Sequence, residues 1–451
     1  MRVLLMLAAC LFCQPALADL FTAQLAYHKG DYARAFKDYR ELAELGQPIA
    51  QYDLAIMYAN GEGVGQSDIN AYAWAKLAAQ NGSAQGKALA DKLRPQLAPG
   101  SEELAAQVTA PYSPAELDEK LMPKLDEPEI AAPRCSGKKI YLEGWDDYPG
   151  AAQFDGTEGR VFVAYTVMPD GSSRNPRIFY AVPAQVFDRA VRGDIMHVRR
   201  SSDAGSAPTE CHMMFNFKFS SGDLPRLNGY AHGLKYRADH GDAQAAFDYG
   251  LLAAAFPREL HTKASDAVPW FLKAAQTGSP TAQFVLGSSL LFGWGCRCEE
   301  SKAEVWLRSA AAADQPSAQV SLAAHALHGA PDKEHTQMAA TWLARASASG
   351  DREGMFYYAA LLAATPEDTL RDPKRALVLI DKVEGDFSED PMMFEIRAAA
   401  QAANGDYRGA VKSEQKALGQ AAKLQWDLGP LNERLARYQA GQTWTGYLLT
   451  F

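Results

Sequence analysis

Tryptophans recur along this chain at a fixed spacing. Trp270, Trp306 and Trp342 lie 36 residues apart, and Trp74 has a similar setting earlier in the chain. Each is followed eight positions later by a residue suited to a helix end: Gly82, Gly278, Asp314 and Gly350. A period in the thirties is typical of helix pairs that stack into a solenoid. The spacing therefore predicts a chain that presents a surface, and it favours binding over catalysis.

The length and the changes of pattern divide the chain into segments. A chain of 451 residues is too long for one core. The predicted fold class is mainly α, a helix-pair repeat solenoid in two blocks flanking a small α+β domain of β-β-α-β order. The predicted segments are a signal peptide (1–18), repeats (19–93), a proline-rich linker (94–133), the α+β domain (134–221), repeats (234–385) and tetratricopeptide-like helices (386–445).

The N-terminus has the features of a secretory signal. Arg2 precedes an apolar run, and Ala16-Leu17-Ala18 is a small-x-small cleavage site, so cleavage is expected after Ala18. A lipoprotein box ending at Cys10 is a less favoured alternative, because the apolar run continues past it. No later segment approaches the 18 apolar residues of a transmembrane span. The expected location is the periplasm.

The charge of the chain limits the classes of partner. The net charge is -9, the pI is near 5.6, and no basic block is present. Nucleic-acid binding needs a basic surface and is not expected. The expected partners are an envelope protein or peptide, with an outer-membrane receptor or peptidoglycan as candidates.

The repeat segments share a sequence pattern. Residues 74–82 read Trp-Ala-Lys-Leu-Ala-Ala-Gln-Asn-Gly, and Gly293-Trp294-Gly295 precedes Trp306. This pattern resembles the Sel-like repeat family, a relative of the tetratricopeptide repeat, over about half of the chain. The resemblance implies small residues on helix A, a Gly-x-Gly turn, a tryptophan on helix B, and a function in protein–protein interaction.

Between the repeat blocks the period changes to two. Val161, Val163, Tyr165 and Val167 alternate with Phe162, Ala164 and Thr166, which predicts a strand that places the first set on one face and the second set on the other. A turn at 169–172, a strand over 177–181, a helix over 184–196 and a strand over 212–219 are expected to follow. Four side chains of the helix are expected to face the core: Val186, Phe187, Ala190 and Val191.

This order resembles the C-terminal domain of TonB-family energy transducers over about ninety residues. The residues that carry the resemblance are Tyr148-Pro149, 159–163, Asp170-Gly171 and 187–190. His197-Val198-Arg199-Arg200 stands where the family usually has a Trp-Arg stretch. An exposed edge of this sheet, either at 212–219 or at 178–180, is expected to bind a peptide by strand addition.

Four cysteines remain after the leader, and all are disulfide candidates: Cys135, Cys211, Cys296 and Cys298. Three pairings are possible in an oxidising compartment. Given the TonB-like order, Cys135–Cys211 is favoured, because it would tie the entering segment to the last strand and contribute about 4 kcal/mol. For Cys296-Arg297-Cys298 a redox pair, a turn staple and bridges to another chain are the alternatives.

No catalytic motif is present, so we expect no enzyme activity, no cofactor and no metal. The repeat tryptophans are expected in the core. His325, His328 and His335 are interpreted as solvated turn residues.

The sequence predicts a periplasmic protein–protein interaction scaffold, with an accessory role in TonB-type envelope transport. The alternatives are direct energy transduction to outer-membrane receptors, a cell-wall glycan-binding module and, less favoured, a thiol–disulfide enzyme. The A helices are expected to line a concave groove. Its candidate residues are Tyr52, Tyr58, Tyr249 and Phe284.

Overall fold

The computed structural model of the protein describes residues 20–125, 139–141, 148–155, 157–200, 207–217, 225–329 and 331–449. The chain forms two compact units, Met1–Ala110 and Pro111–Phe451. The predicted signal peptide, its cleavage site at Ala18, the alternative at Cys10, and Cys135 lie outside the described residues. None of the helices described is both long enough and apolar enough to cross a membrane.

The first unit consists of short helices joined by tight turns. Asp31 and Ser67 cap two of them by accepting backbone hydrogen bonds. Gly82 follows the helix that Ser67 caps and has φ +95°, the left-handed conformation that glycine adopts without strain. The helices are α1 (Leu20–His28), α2 (Tyr32–Glu44), α3 (Pro48–Asn60), α4 (Asp68–Gln80), α5 (Ala84–Leu93) and α6 (Ser101–Thr109).

The segment predicted as a linker is largely helical up to residue 120. It contains a 3-10 turn (Arg94–Gln96), α6, a second 3-10 turn (Ala110–Tyr112) and α7 (Pro114–Lys120). Pro95 and Pro114 lie in the first turn of their helices, where the missing N–H has no helical partner to lose. The proline content therefore does not mark an irregular linker here.

The central α+β module has the predicted order of strands and helix. Its three-stranded antiparallel sheet has the order β3-β2-β5, and a short β1 pairs with β4. The elements are β1 (Lys139–Tyr141), α8 (Gly150–Asp155), β2 (Gly159–Val167), β3 (Ser173–Val182), α9 (Asp188–Met196), β4 (Val198–Arg200) and β5 (Thr209–Phe217).

The predicted helix of the module begins later than expected. Gln185 has φ +64°, which a right-handed helix does not allow, so α9 starts at Asp188 and not at residue 184. Phe187 is fully buried, as expected, whereas Val186 is 37% exposed and does not face the core. The turn before the helix thus buries one of the two side chains and exposes the other.

The second unit continues with helices α10 to α21, arranged mostly as helix pairs. We call α11, α13, α15, α17 and α19 the A helices, and α12, α14, α16, α18 and α20 the B helices. The helices are α10 (Pro225–Asp239), α11 (Ala243–Ala255), α12 (Val268–Gln276), α13 (Pro280–Phe292), α14 (Glu300–Ala312), α15 (Pro316–Ala326), α16 (Lys333–Ala348), α17 (Arg352–Ala364), α18 (Pro373–Phe387), α19 (Pro391–Ala403), α20 (Tyr407–Lys423) and α21 (Gly429–Gln439).

A buried glutamine joins successive repeats. Gln283 of α13 donates its side-chain N–H to the carbonyl of Ala275 at 3.2 Å, and Gln319 of α15 donates to Ala311 at 2.9 Å. Gln51 in the first unit donates to Ala43 in the same way at 3.0 Å. Each of these carbonyls lies near the end of the preceding helix and also accepts a backbone N–H, so the glutamine adds a second hydrogen bond to it. The glutamine therefore fixes how each A helix meets the helix before it.

The sheet of the module is covered on both faces. All nine residues of β2 are buried. Val161, Val163, Tyr165 and Val167 form one core cluster with Phe187, Val191 and Ile195 of the α9 segment. Phe162 points to the other face and packs on the repeats. The predicted alternation thus separates a side that holds the module together from a side that attaches it to the A helices.

Candidate functional site

The centre of the attachment between module and repeats is aromatic. Trp294, in the Gly-x-Gly turn after α13, stacks on Phe162 with ring centroids 4.5 Å apart and on Tyr180 at 4.9 Å. Phe179 lies 4.8 Å from Phe292 and 5.8 Å from Phe284. Aromatic pairs at these distances add to the stabilisation from burial. We call this surface, formed by the A helices and the turns that follow them, the inner face.

One end of the module is fixed to the first repeat of the second unit. Arg160 of β2 donates to the carbonyl of Ala255 and forms an ion pair with Glu259 at 2.9 Å. Its guanidinium also lies over the ring of Phe256 at 4.7 Å. Arg160 is only 6% exposed, and these partners compensate the cost of burying its charge.

The opposite end of the module contacts the loop before α21. Arg174 lies over the ring of Trp426 at 4.0 Å, and the backbone N–H of Asp427 donates to Asp170 at 2.7 Å. Arg199 donates to the carbonyl oxygens of Leu424 and Gln425. The inner face therefore holds the module from the first repeat of the unit to its last helices.

Acidic groups of the middle repeats face arginines of the module. Glu353 of α17 lies 4.0 Å from Arg192 of α9, and Arg177 of β3 is also near it. Burial raises the pKa of Glu353 to about 7, and it also raises the pKa of Asp390, before α19, to about 7. Both carboxyl groups are thus easier to protonate in the folded chain than in water.

The predicted groove residues do not line an open groove in the second unit. Phe284 is 2% exposed and packs against the module, and Tyr249 is 9% exposed with its ring 5.2 Å from that of Trp270. In the first unit Tyr58 is half-buried against Phe36, and Tyr52 is half-buried. Phe284 and Tyr249 are therefore structural residues, because the inner face is filled by the chain's own module. The sequence shows that module but not where it packs.

The repeat tryptophans divide into two groups. Trp306 is fully buried and Trp74 is 4% exposed, as predicted for core residues. Trp270 and Trp342 are only half-buried. Lys235 and Lys273 lie over the ring of Trp270, and Arg345 lies over Trp342 at 5.3 Å. The prediction of core tryptophans therefore holds only in part for these two: Trp342 packs against the core of the repeats, and both carry cations on their rings at the surface of the B helices.

The segment after α7 explains why Trp306 is buried. The indole N–H of Trp306 donates to the carbonyl of Leu121 at 3.0 Å, and Lys302 donates to the carbonyl of Met122 at 2.8 Å. The backbone N–H of Lys124 donates to Glu299 at 3.3 Å. Three side chains of α14 and its N-terminal turn, together with the backbone N–H of Arg297, thus hold the backbone of residues 121–124.

One repeat further on, a cleft is open between B helices. It has a volume of about 360 Å³ and is lined by Glu304, Arg308, Leu322, His325, Ala326, His328, Pro331, Asp332, His335, Met338 and Trp342. His335 bonds Asp332 at 2.7 Å. The three predicted turn histidines all line this cleft. Within the part of the chain that the structure covers, no group of three His, Cys, Asp or Glu residues could hold a metal ion.

A second cleft lies beside α9. Its volume is about 450 Å³, and it is lined by Tyr148, Pro149, Gly150, Val186, Arg189, Ala190, Gly193, Asp194, His197 and Glu389. The lining combines side chains of both charges, Arg189, Asp194 and Glu389, with apolar ones such as Pro149 and Val186. It contains no pairing of nucleophile and base that would indicate a reaction.

The cysteines fall into two groups. Cys211 is buried and disulfide-bonded, and its partner lies outside the described residues, so the pairing with Cys135 stays a prediction. Cys296 and Cys298 carry thiols and do not form the short bridge considered for them. Burial raises the pKa of the Cys296 thiol to about 12. A thiol that resists ionisation is a poor nucleophile, which argues against redox exchange at this turn.

No family model and no curated protein matches the chain. Among solved structures it is similar to a protective antigen of uropathogenic Escherichia coli strains displaying an SLR fold, with 16% identity and a TM-score of 0.37. That similarity covers 94% of this chain and 65% of the antigen, so the chain spans about two thirds of its length. A Sel1 repeat protein from Oxalobacter formigenes is similar with 21% identity and a TM-score of 0.34, over 45% of this chain and 84% of that protein. At these values neither similarity carries an argument about function.

Proposed function

We propose that this chain is a protein–protein interaction scaffold of the bacterial envelope, in which the repeats hold the α+β module and other surfaces meet partners. The proposal rests on one observation: the module occupies the inner face. Its contacts with the repeats extend from Glu259 at one end to Asp427 at the other. A partner must therefore bind elsewhere, at the outer edge of the sheet or on the B helices.

The edge of β5 is the surface of the module best suited to a partner strand. β5 lies at the end of the sheet, where it pairs with β2 on one side, and Asn216 near its end is exposed. An edge strand offers backbone groups to which an extended peptide can add. The resemblance to TonB-family domains supports the same mode of binding.

Site-specific crosslinking in living cells tests the scaffold. A photo-reactive residue at Asn216 is expected to capture envelope proteins, whereas one at Leu104, which is 51% exposed on α6, is the matched control. Equal capture at both positions, or none at Asn216, would contradict strand addition at β5.

The envelope location and the role in transport need separate tests. Fractionation and N-terminal sequencing are expected to find mature protein in the periplasm, beginning at Asp19. Uptake through TonB-dependent receptors is expected to fall, without being abolished, in cells that lack the chain. Normal uptake would remove the accessory role and leave the scaffold itself standing.

A further inference from the structure

We propose that the cleft at His335, Met338 and Trp342 binds an extended peptide segment of a partner protein. The segment would bind as the Trp306 repeat binds this chain's own residues 121–124. The inference rests on the proposed scaffold function and assigns it a site and a class of ligand.

The repeat register carries the inference. Glu299, Lys302 and Trp306 bond the backbone of residues 121–124 through their side chains. Adding the period of 36 residues to each gives His335, Met338 and Trp342. All three of these line the open cleft of about 360 Å³. The positions that hold a peptide in one repeat therefore surround a cavity in the next.

The tryptophan of the open repeat has the donor that the occupied repeat uses. Trp306 is buried beneath the peptide and donates its indole N–H to the carbonyl of Leu121. Trp342 is half-buried, and its indole N–H has no acceptor among the described residues. Leu322 and Ala326 also line this cleft and are buried. A partner segment would fill the cleft if its carbonyl accepted from the indole N–H of Trp342 and its apolar side chain packed on Leu322 and Ala326.

The two substitutions between the repeats define the partner's chemistry. Met338 stands where the preceding repeat has Lys302. The hydrogen bond that the Lys302 side chain donates to a backbone carbonyl is therefore replaced by apolar contact. His335 replaces Glu299, but Asp332 provides a carboxylate beside it, with a side chain 66% exposed. The expected ligand is thus an extended segment with an apolar residue followed a few positions later by Lys or Arg. Leu121 and Lys124 have this spacing, and Lys124 lies 4.0 Å from Glu299.

Continuity with the occupied site favours a peptide over other ligands. The two sites lie on consecutive B helices, α14 and α16, and both use the helix surface that carries the tryptophan. In the full chain the Trp306 site is already filled by residues 121–124. Of the two sites, the Trp342 site is therefore the one that is open to a segment from another protein.

Binding of a labelled peptide to the mature full-length protein tests the proposal. The probe is residues 113–125 of this chain with both ends blocked, and its control carries Leu121→Asp and Lys124→Glu. Fluorescence anisotropy is expected to show saturable binding of the first peptide only. Trp342→Phe keeps the ring and removes the N–H, so affinity should fall about fivefold, the net value of one hydrogen bond.

Trp270→Phe is the matched variant, because Trp270 is also half-buried on a B helix and carries cations on its ring. It is expected to leave the affinity unchanged, and circular dichroism checks that both variants fold. Absence of saturable binding up to about 1 mM overturns the inference, and so does an equal loss with Trp270→Phe. A dimer that depends on Trp342 would assign the cleft to a second copy and also overturn it. Crosslinks at Asn216 despite such a failure would leave the scaffold function in place.

Discussion

The two faces of the central sheet are buried by different chemistry. The face toward α9 is an apolar cluster in which Phe187 stacks on Phe217 at 4.2 Å. The face toward the repeats has aromatic rings at its centre and arginines paired with acids and carbonyls around them. The first resembles a domain core. The second has the apolar centre and polar rim of an interface between proteins.

This difference shows that one strand, β2, can contribute both to the core of its own module and to the interface with the repeats. Alternate residues of β2 belong to the module's own fold or to its attachment. Loss of the α9 face should unfold the module, whereas loss of the repeat face should release a module that is still folded. The following predictions test that division, beginning with the largest effect.

Phe187→Ala removes a fully buried ring from the α9 face. The expected loss is about 4 kcal/mol of unfolding free energy, from lost burial and the cavity left behind. Urea denaturation measures it, and hydrogen exchange should show that the amides of β2 lose their protection. Phe179→Ala, on the other face, is the control and should leave that protection largely intact. If both variants expose β2 equally, the two faces do not act separately.

Trp294→Ala removes the ring that stacks on Phe162 and Tyr180. We expect a loss of about 3 kcal/mol, since burial and two aromatic pairs are removed together. Limited proteolysis should release the module as a stable fragment. Trp270→Ala is the matched control, because the ring of Trp270 contacts Tyr249 and Lys273 of the repeats. Unchanged resistance to protease in Trp294→Ala would place the attachment elsewhere.

Glu353 should make the attachment depend on pH. Burial raises its pKa from 4.5 to about 7 in the folded chain, so folding favours the protonated carboxyl. Its contribution is complete below about pH 4.5 and is lost as the pH rises through about 7. That loss should be about 3 kcal/mol.

Glu353→Gln should flatten this part of the pH profile of unfolding, while Asp390 keeps its own contribution. Glu334→Gln, an exposed change on α16, is the control and should leave the profile as in the original chain. A profile with the same slope in Glu353→Gln would show that this carboxyl does not govern the attachment.

Arg199→Ala tests the polar rim. It removes hydrogen bonds to the carbonyls of Leu424 and Gln425 at a partly exposed position. The expected loss is about 1 kcal/mol, close to the net value of one such bond. Arg189→Ala, at an exposed position of α9, should change thermal unfolding less. An effect as large as that of Trp294→Ala would mean that the rim, and not the aromatic centre, holds the module.

Local patterns predicted the elements of this fold well. The tryptophan period gave the helix pairs, the alternation around Val163 gave β2, and Gly278 and Gly350 have the left-handed φ of helix ends. Each of these signals lies within a few residues of the feature it predicts. The helix start near Gln185 and the 3-10 turn around Pro95 were not predicted, because one left-handed residue or one first-turn proline changes the outcome, whereas one or two helical turns were expected over 113–121, where α7 lies.

The surfaces available for binding could not be predicted in this way. Phe284 and Tyr249 fit the pattern of exposed groove aromatics, and only the contacts of Phe179 and Trp270 show that they are enclosed. Trp306 and Trp342 share one repeat position, yet one is covered by Leu121, nearly two hundred positions earlier in the chain.

The attachment at both ends of the module also fixes how many repeats the chain can contain. Stacked repeats usually tolerate gain or loss of a unit, because each contacts only its neighbours. Here Arg160 is tied to Glu259 and Asp170 to Asp427, and the rigid sheet between them sets the distance. Duplication of one 36-residue unit within this interval would separate one of these contacts. The module thus sets the distance between these two contacts. The number of repeats between them is therefore expected to stay constant, as the number of strands does in a closed barrel.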